Sequence, residues 1–458
     1  MYSLISGNKD VTKAMQQFPI YYNDIRSDKD FISFSEKVGQ STINFNLPLQ
    51  YSPYNVHTCR GDKHFVYNTL TNALYCFEND EEYYNILNCQ AKSIEDKERF
   101  ISDGIWVDAN IDIKDFYIKF IEKSHRYWHH HISIVLTTTL ECNARCFYCY
   151  EAGVRHGYFK LEQIDDLMKF IHTLDLSKGM QLVWFGGEPL LNTEFMDILS
   201  SRLKQDNIPF VSYLVTNGSL LTYKIIDDNF KQWNVNEMQV TIDGTEDNYE
   251  KIKNYNDNKS HHYEHILSML KYAAQNSVNV NIRLNFSKSN ANNLYELLEE
   301  LEARFSKYDF ISIYPAFLTG IDNYIPEEDR IDVIKKLLKI LKNPSKISFH
   351  NKFYSVPKIS PCHRFSDKAF AIDVNGDIYA CEHNVGRKEN AIGNIVTGLH
   401  QEDTRINMPP LRQECKECQY LPKCCGGCDS NYQNGDIACM IEKYMIQGYL
   451  EFLLEDNL

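Results

Sequence analysis

From residue 131 to about 345 the chain alternates two kinds of hydrophobic pattern. Short runs rich in aliphatic and β-branched residues predict strands: "HISIVLTT" at 131–138, "MQLVWFGG" at 180–187, "PFVSYLVTNG" at 209–218, "NEMQVTIDG" at 236–244, "VNVNIRLNFS" at 278–287 and "DFISIYPAFL" at 309–318. After each comes a stretch with apolar residues at helical spacing, at 161–174, 192–205, 221–233, 262–276, 291–305 and 326–342. Six such βα units predict an α/β fold: a parallel sheet covered by helices, curved into a partial (β/α)6 TIM-like barrel. The polar and glycine-rich stretches "CNARCFYC", "FGGEP", "TNGS" and "DGT" all follow strands, so they gather at the end of the barrel where active residues sit.

Flanking regions read differently. Residues 54–89 predict short strands followed by a helix, and 114–128 predict a second helix. The last hundred residues are short of periodic pattern and rich in cysteine. The expected organisation is a small α+β region over 1–130, the barrel over 131–345 and a cysteine-rich domain over 346–458.

Composition narrows the function classes. The 458 residues are 43% hydrophobic and 24% charged, as in an ordinary globular protein. A net charge of −14 argues against broad nucleic-acid binding. No apolar run is long enough to span a membrane, and the N-terminus lacks a secretory pattern, so the expected location is the cytoplasm. There the 14 cysteines are expected to be ligands, catalytic thiols or core fillers rather than disulfides.

Their placement carries the chemistry. Cys142, Cys146 and Cys149 fall within eight residues on the loop after the first barrel strand. Three thiolates can hold a [4Fe–4S] cube with one iron left open for a chelating small molecule; the alternative is a zinc site completed by a distant residue. The spacing Cys142-xxx-Cys146-xx-Cys149, with Tyr148 before the last cysteine, resembles the signature of radical S-adenosylmethionine (SAM) enzymes, and Gly186-Gly187-Glu188-Pro189 resembles their GGEP motif. The resemblance covers roughly residues 130–345. It implies that the open iron binds the amine and carboxylate of SAM, and that reductive cleavage yields a 5′-deoxyadenosyl radical able to take a hydrogen atom from an unactivated C–H bond. It further implies SAM contacts from Gly186, Gly187, Glu188 (to the ammonium), Thr216, Asn217 and Thr241, the last matching a Ser in the related SxDG pattern. Thr216 and Thr241 equally suit strand-end turns. Where relatives often carry Arg, twelve residues after Thr241, this chain has Lys253.

Near the C-terminus, Cys362, Gly376, Cys381, Cys415, Cys418, Cys424, Cys428 and Cys439 resemble in spacing the SPASM domain, which holds two auxiliary [4Fe–4S] clusters, for three in all. A pair of zinc ribbons is the alternative. The resemblance implies that Cys362, Cys381 and Cys428 hold auxiliary cluster I, and Cys415, Cys418, Cys424 and Cys439 hold auxiliary cluster II. Sulfatase-maturing relatives have a further cysteine at the position of Ser366, so cluster I is expected to carry an open iron unless Cys425 closes it. The same relatives place an aspartate base after the cysteine matching Cys381; here it is Glu382, the expected catalytic base, flanked by His363 and His383.

The N-terminal region resembles the winged-helix leader-recognition element of peptide-modifying enzymes, with a structural cap on the barrel as the alternative; "HHH" at His129–His131 reads as a linker. The favoured expectation is a radical SAM maturase that modifies a ribosomal precursor peptide, of sactipeptide or ranthipeptide type, by a thioether or other cross-link. It would need a precursor carrying a leader, and an electron donor such as flavodoxin or ferredoxin. A formylglycine-generating, sulfatase-maturase-like enzyme is the alternative. An iron–sulfur electron carrier has no use for the GGEP motif.

Overall fold

A computed structural model describes residues 3–6, 47–124, 131–154, 156–256, 261–318, 324–340, 358, 362–400, 410–428, 439 and 441–456. His129 and His130, read above as linker, lie outside the described residues.

The N-terminal part holds strands β1 (Ser3–Ser6), β2 (Leu49–Tyr51), β3 (Asn55–Arg60), β4 (Lys63–Asn68) and β5 (Leu74–Phe77), helices α1 (Asp80–Leu87) and α2 (Ile94–Ser102), strand β6 (Trp106–Asp108) and helix α3 (Ile113–Ser124). The sheet runs in the order β1-β5-β4-β3, all pairs antiparallel, with β3 at an edge among the described residues. Alternation divides its residues between two faces. Val66, Tyr75 and Phe77 pack with Ile86, Phe100 and Trp106, while Val56, Phe65 and Tyr67 pack against a C-terminal helix described below.

The barrel strands are β7 (Ile132–Thr139), β8 (Met180–Gly186), β9 (Phe210–Thr216), β10 (Val235–Thr241), β11 (Asn279–Phe286) and β12 (Ile311–Phe317). They pair in chain order, all parallel. Interleaved are helices α4 (Ile164–His172), α5 (Thr193–Gln205), α6 (Phe230–Trp233), α7 (Glu246–Lys253), α8 (His262–Gln275), α9 (Ala291–Phe305) and α10 (Glu327–Ile340). Each strand turns its apolar residues, such as Leu182, Leu214, Val240, Ile282 and Ile313, toward the helices, where they are buried. The alternate positions Tyr213, Gln239, Arg283 and Tyr314 face the concave side and are half-buried. The expected partial barrel is therefore present, and its hollow is polar.

Three features depart from the sequence expectation. The helix expected over 221–233 contains a π turn at Ile225–Asn229. Helix α7 occupies a stretch after "DGT" for which the sequence pattern predicts no element. The barrel sheet also continues past its first strand: β13 (Ala369–Ile372) pairs parallel with β7 and is followed by β14 (Asp377–Tyr379), β15 (Gly393–Asn394) and β16 (Gly398–Leu399). The cysteine-rich region thus grows from the same sheet as the barrel. Short helices α11 (Gln413–Lys416) and α12 (Leu421–Cys424) lead to α13 (Ile441–Asp456), whose Ile446, Leu450 and Leu454 close the N-terminal core. No helix among the described residues is long and apolar enough to cross a membrane.

Candidate active site at the strand ends

The loop after β7 carries the cysteine triplet and is tied to each neighbouring loop. Gly187 N–H donates to Thr139 O at 3.0 Å and Glu188 N–H to Glu141 O at 2.9 Å, locking the GGEP turn against the start of the cysteine loop. This contact is why both positions are glycine. A Cβ on Gly186, whose φ is +127°, would lie 2.1 Å from Thr139 O, and one on Gly187 would lie 2.3 Å from Glu141 O. The close approach is made by this chain's own backbone.

Glu188, expected to meet the SAM ammonium, has its carboxylate engaged by the chain's own donors. Its side chain is fully buried. Oε1 accepts from Thr216 Oγ1 (2.7 Å) and Leu190 N–H (3.1 Å), and Oε2 accepts from Asn217 N–H (2.8 Å). The carboxylate therefore staples the β8 loop to the β9 loop, and Thr216 is spent on the same staple. Burial pushes Glu188 up to about 7, against the pull of its three donors and the charge of Lys253.

Asn217 and Asn143 carry the clasp onward. Asn217 Nδ2 lies 2.8 Å from Asn143 Oδ1 and 3.9 Å from Cys142 Sγ, and Asn143 Nδ2 donates to Ser219 Oγ at 2.8 Å. At the far side of the loop, Lys253 and Tyr148, both singled out in the sequence, meet through Asp243, which the sequence reading missed. Lys253 Nζ lies 2.9 Å from Asp243 Oδ2, with the two side chains 3% and 0% exposed. Tyr148 Oη donates to the same carboxylate at 2.7 Å, and Lys253 Nζ donates to Tyr148 Oη at 3.3 Å. Burial alone would pull Lys253 down, but the Asp243 carboxylate together with Tyr148, Cys146 and Tyr249 outweighs it and holds the ammonium well above its usual range. Arg145 N–H closes the ring by donating to Lys253 O at 2.7 Å. So Lys253 is enclosed beneath the cysteine loop. Thr241 stands at the end of β10, half-buried, beside Arg283 in register.

The residues present fit a cluster with an open corner. Three thiols of intermediate exposure share one short loop without helix, braced on both sides, and Asp243 Oδ1 is buried there without a hydrogen-bond partner among the described residues.

The C-terminal cysteines fall into two groups. Cys362 is pushed up to about 12, first by burial and then by the nearby Cys428 thiol and Glu382 carboxylate. Cys381 joins them through His363 and Glu382, whose ligating atoms lie within 4.8 Å of its own. In the second group burial raises Cys418, with Cys439 and Cys415 adding to it, and raises Cys424 to about 12, with Cys418 adding. Cys425 stands apart. It adopts the left-handed conformation (φ +51°), and its thiol donates to Lys358 O at 2.8 Å. It packs among Tyr54, Tyr117, Ile121 and Leu421. Ser366 is fully buried beside β13.

Glu382 pairs with His363 at 2.8 Å. Burial would raise its carboxyl, but the hydrogen bond and charge of His363 hold it down to about 2. The His383 ring packs at a tilt of 34° against Tyr150 with centroids 4.5 Å apart, bringing the C-terminal region against the end of the cysteine loop. A Cβ on Gly386 would lie 2.9 Å from Val154 Cβ, a second close contact between the same two segments.

Two outcomes follow from this geometry. Glu188 binds its proton more tightly folded than unfolded, so its ionisation costs stability as pH rises from about 4.5 to about 7, by roughly 3 kcal/mol in full. Glu188→Gln is expected to remove that slope, seen as a urea midpoint that changes less between these pH values than the parent's. Lys253→Met leaves Asp243 buried without its cation and is expected to cost about 3–5 kcal/mol. Its iron uptake after reconstitution should fall, and Lys253→Arg should restore both. Equal denaturant midpoints for Lys253→Met and the parent would mean the pair does not hold the loop.

Comparison with known proteins agrees with this arrangement. Residues 136–301 match the model of the radical SAM superfamily. A probable GTP 3′,8-cyclase of Methanococcus maripaludis (strain C6) is 37% identical over 97 residues, covering 21% of this chain and 32% of that protein. Another, of Methanocaldococcus jannaschii, is 26% identical over 208 residues, covering 43% and 65%. The match thus spans about a third of the length of the first of these relatives. Among solved structures, native anSMEcpe with bound AdoMet, an anaerobic sulfatase maturase, superposes with a TM-score of 0.55 at 17% identity, over 70% of this chain and 96% of the other. Residues 136–301 thus resemble the radical SAM superfamily, and the chain shares its overall fold with the sulfatase maturase.

Proposed function

We propose that this enzyme modifies a peptide, and that the hydrogen atom it removes comes from a residue of a ribosomally made precursor. The observation that carries the reading is the placement of the second cysteine group. Cys381, Glu382 and His383 stand on segments that extend the barrel sheet from β7, and the tilted contact between His383 and Tyr150 supports a position beside the cysteine loop. A thiol-bearing substrate in the polar hollow would have the two groups on either side of it.

In this reading Cys142, Cys146 and Cys149 hold the SAM-binding cluster. Cys362, Cys381 and Cys428 hold a second, and Cys415, Cys418, Cys424 and Cys439 a third. The bound cluster and SAM supply hydrogen-atom abstraction from an unactivated carbon. The chain's own residues do the rest. Glu188 and Thr216 fix the GGEP turn so that its backbone and Asn217, with Thr241, contact SAM. The buried Lys253–Asp243–Tyr148 group holds the cysteine loop in place. Tyr213, Gln239, Arg283 and Tyr314 line the hollow and position the peptide, and Glu382 takes up a substrate proton. The Cys425 thiol, engaged with Lys358 O, leaves the second cluster a corner for a substrate thiolate. The edge strand β3 receives the leader by backbone pairing. A small flavodoxin or ferredoxin supplies electrons.

The protein reconstituted under anaerobic conditions should hold roughly 12 irons per chain, and Cys142, Cys146 and Cys149 changed together to Ala should lose about a third of them and all SAM cleavage. Cys425→Ala should keep the full iron content. Turnover of a cysteine-containing precursor should remove two hydrogens and join sulfur to carbon, and a leaderless peptide should react far more slowly. Formation of an aldehyde from the cysteine would place the enzyme with the sulfatase maturases. Turnover of GTP, the nucleotide named for the Methanococcus relatives, with none of peptide would overturn the proposal.

A further inference from the structure

The sequence "VHTCRGDKH" in the N-terminal hairpin holds a second kind of ligand set, away from the iron–sulfur cysteines. His57 and Cys59 are two apart on β3 and so share one face of the sheet. His64 on β4 lies directly opposite Cys59 in register. The ligating atoms of His57, Cys59 and His64 all fall within 4.8 Å of one another. Closest are His57 Nε2 and His64 Nδ1, at 2.9 Å. Two nitrogens on one tetrahedral zinc, with bonds near 2.0–2.1 Å, stand about 3.3 Å apart, and a nitrogen and a thiolate sulfur about 3.6 Å. A ring rotation of a few tenths of an ångström would admit the ion.

Three surrounding contacts are those a metal site needs. His64 Nε2 lies 2.7 Å from Asp80 Oδ1, so the ring proton belongs on Nε2 and the Nδ1 lone pair is turned to His57. A carboxylate behind a histidine in this way fixes its tautomer and raises its basicity toward a metal. The Tyr83 ring stacks on both imidazoles, at 4.1 Å from His57 and 4.4 Å from His64, and sets their planes. Burial is graded: His64 is 5% exposed, His57 is intermediate and Cys59 is exposed. Solvent can therefore reach a fourth coordination position.

We infer that His57, Cys59 and His64 bind one zinc ion, with Asp80 orienting His64 and water as the fourth ligand. The ion would pin the edge strand β3 to β4 and, through Asp80, to the start of α1. Soft thiolate and imidazole donors in a three-ligand set favour zinc over magnesium or calcium. Folding here does not require it, because the hairpin already has its own apolar core, so the site adds rigidity to the edge strand.

The test uses the full-length reconstituted protein. Metal analysis should give one zinc per chain in addition to the iron. Cys59→Ser, at an exposed position that leaves the fold intact, should lose the zinc and keep all the iron. Changing Cys142, Cys146 and Cys149 together to Ala should lose iron and keep the zinc, which separates this site from zinc misplaced in a cluster. Asp80→Ala should weaken zinc binding about 10- to 100-fold in competition with a chromophoric chelator. Cobalt substitution should give thiolate-to-metal absorption in the parent and none in Cys59→Ser. No zinc in the parent beyond that in Cys59→Ser would overturn the proposal, as would iron at the same ligands.

Discussion

A lysine ammonium 2.9 Å from a carboxylate, with both side chains out of solvent, is the constraint on which the rest of the site depends. Two buried charges in contact are stable only while both remain, so Lys253 and Asp243 fix the distance between the end of β10 and the end of α7. Tyr148, between two of the three loop cysteines, is bound to the same pair, and Arg145 to the backbone of Lys253. On the opposite side the GGEP backbone approaches Thr139 and Glu141 so closely that no Cβ fits. A loop without helix, which would otherwise wander, is held from both flanks. That suits thiols that must meet the irons of one rigid cube.

The order of the loops follows from the sheet. Parallel strands put successive loops at one end, and each loop here reaches its neighbour through one polar side chain. Glu188 joins the second to the third, Asn217 and Asn143 join the third to the first, and Tyr148 joins the first to the fourth. The same direction of growth brings the C-terminal cysteines to the mouth, because β13 lies alongside β7. The cysteine loop therefore has a polar hollow on one side and a second thiol group on another.

Much of this was legible in the chain. All six barrel strands were legible because each is a short run rich in β-branched and aliphatic residues that ends in a glycine or polar turn. The cysteine loop and the GGEP turn were legible because their spacing is unusual. Other features were hidden for physical reasons. Helix α7, "EDNYEKIK", has few apolar residues, since it is held by the buried charge of Lys253 rather than by a broad apolar face. Strand β13 is four residues long and pairs with a strand more than two hundred positions earlier, which no local pattern records. The hydrogen bonds that hold the Glu188 carboxylate were hidden as well. Its inward turn depends on donors from Thr216 and Asn217, nearly thirty residues away. The hollow's Tyr213, Gln239, Arg283 and Tyr314 could have been read from the polar half of each strand's alternation.

The central claim is that the enzyme takes a hydrogen atom from a peptide. It is tested most directly by turning over a precursor deuterated at carbon and examining the 5′-deoxyadenosine released. The account predicts deuterium in that product, dependent on the leader and absent when Cys142, Cys146 and Cys149 are all alanine. Release of 5′-deoxyadenosine without deuterium from every labelled residue of the precursor would contradict it.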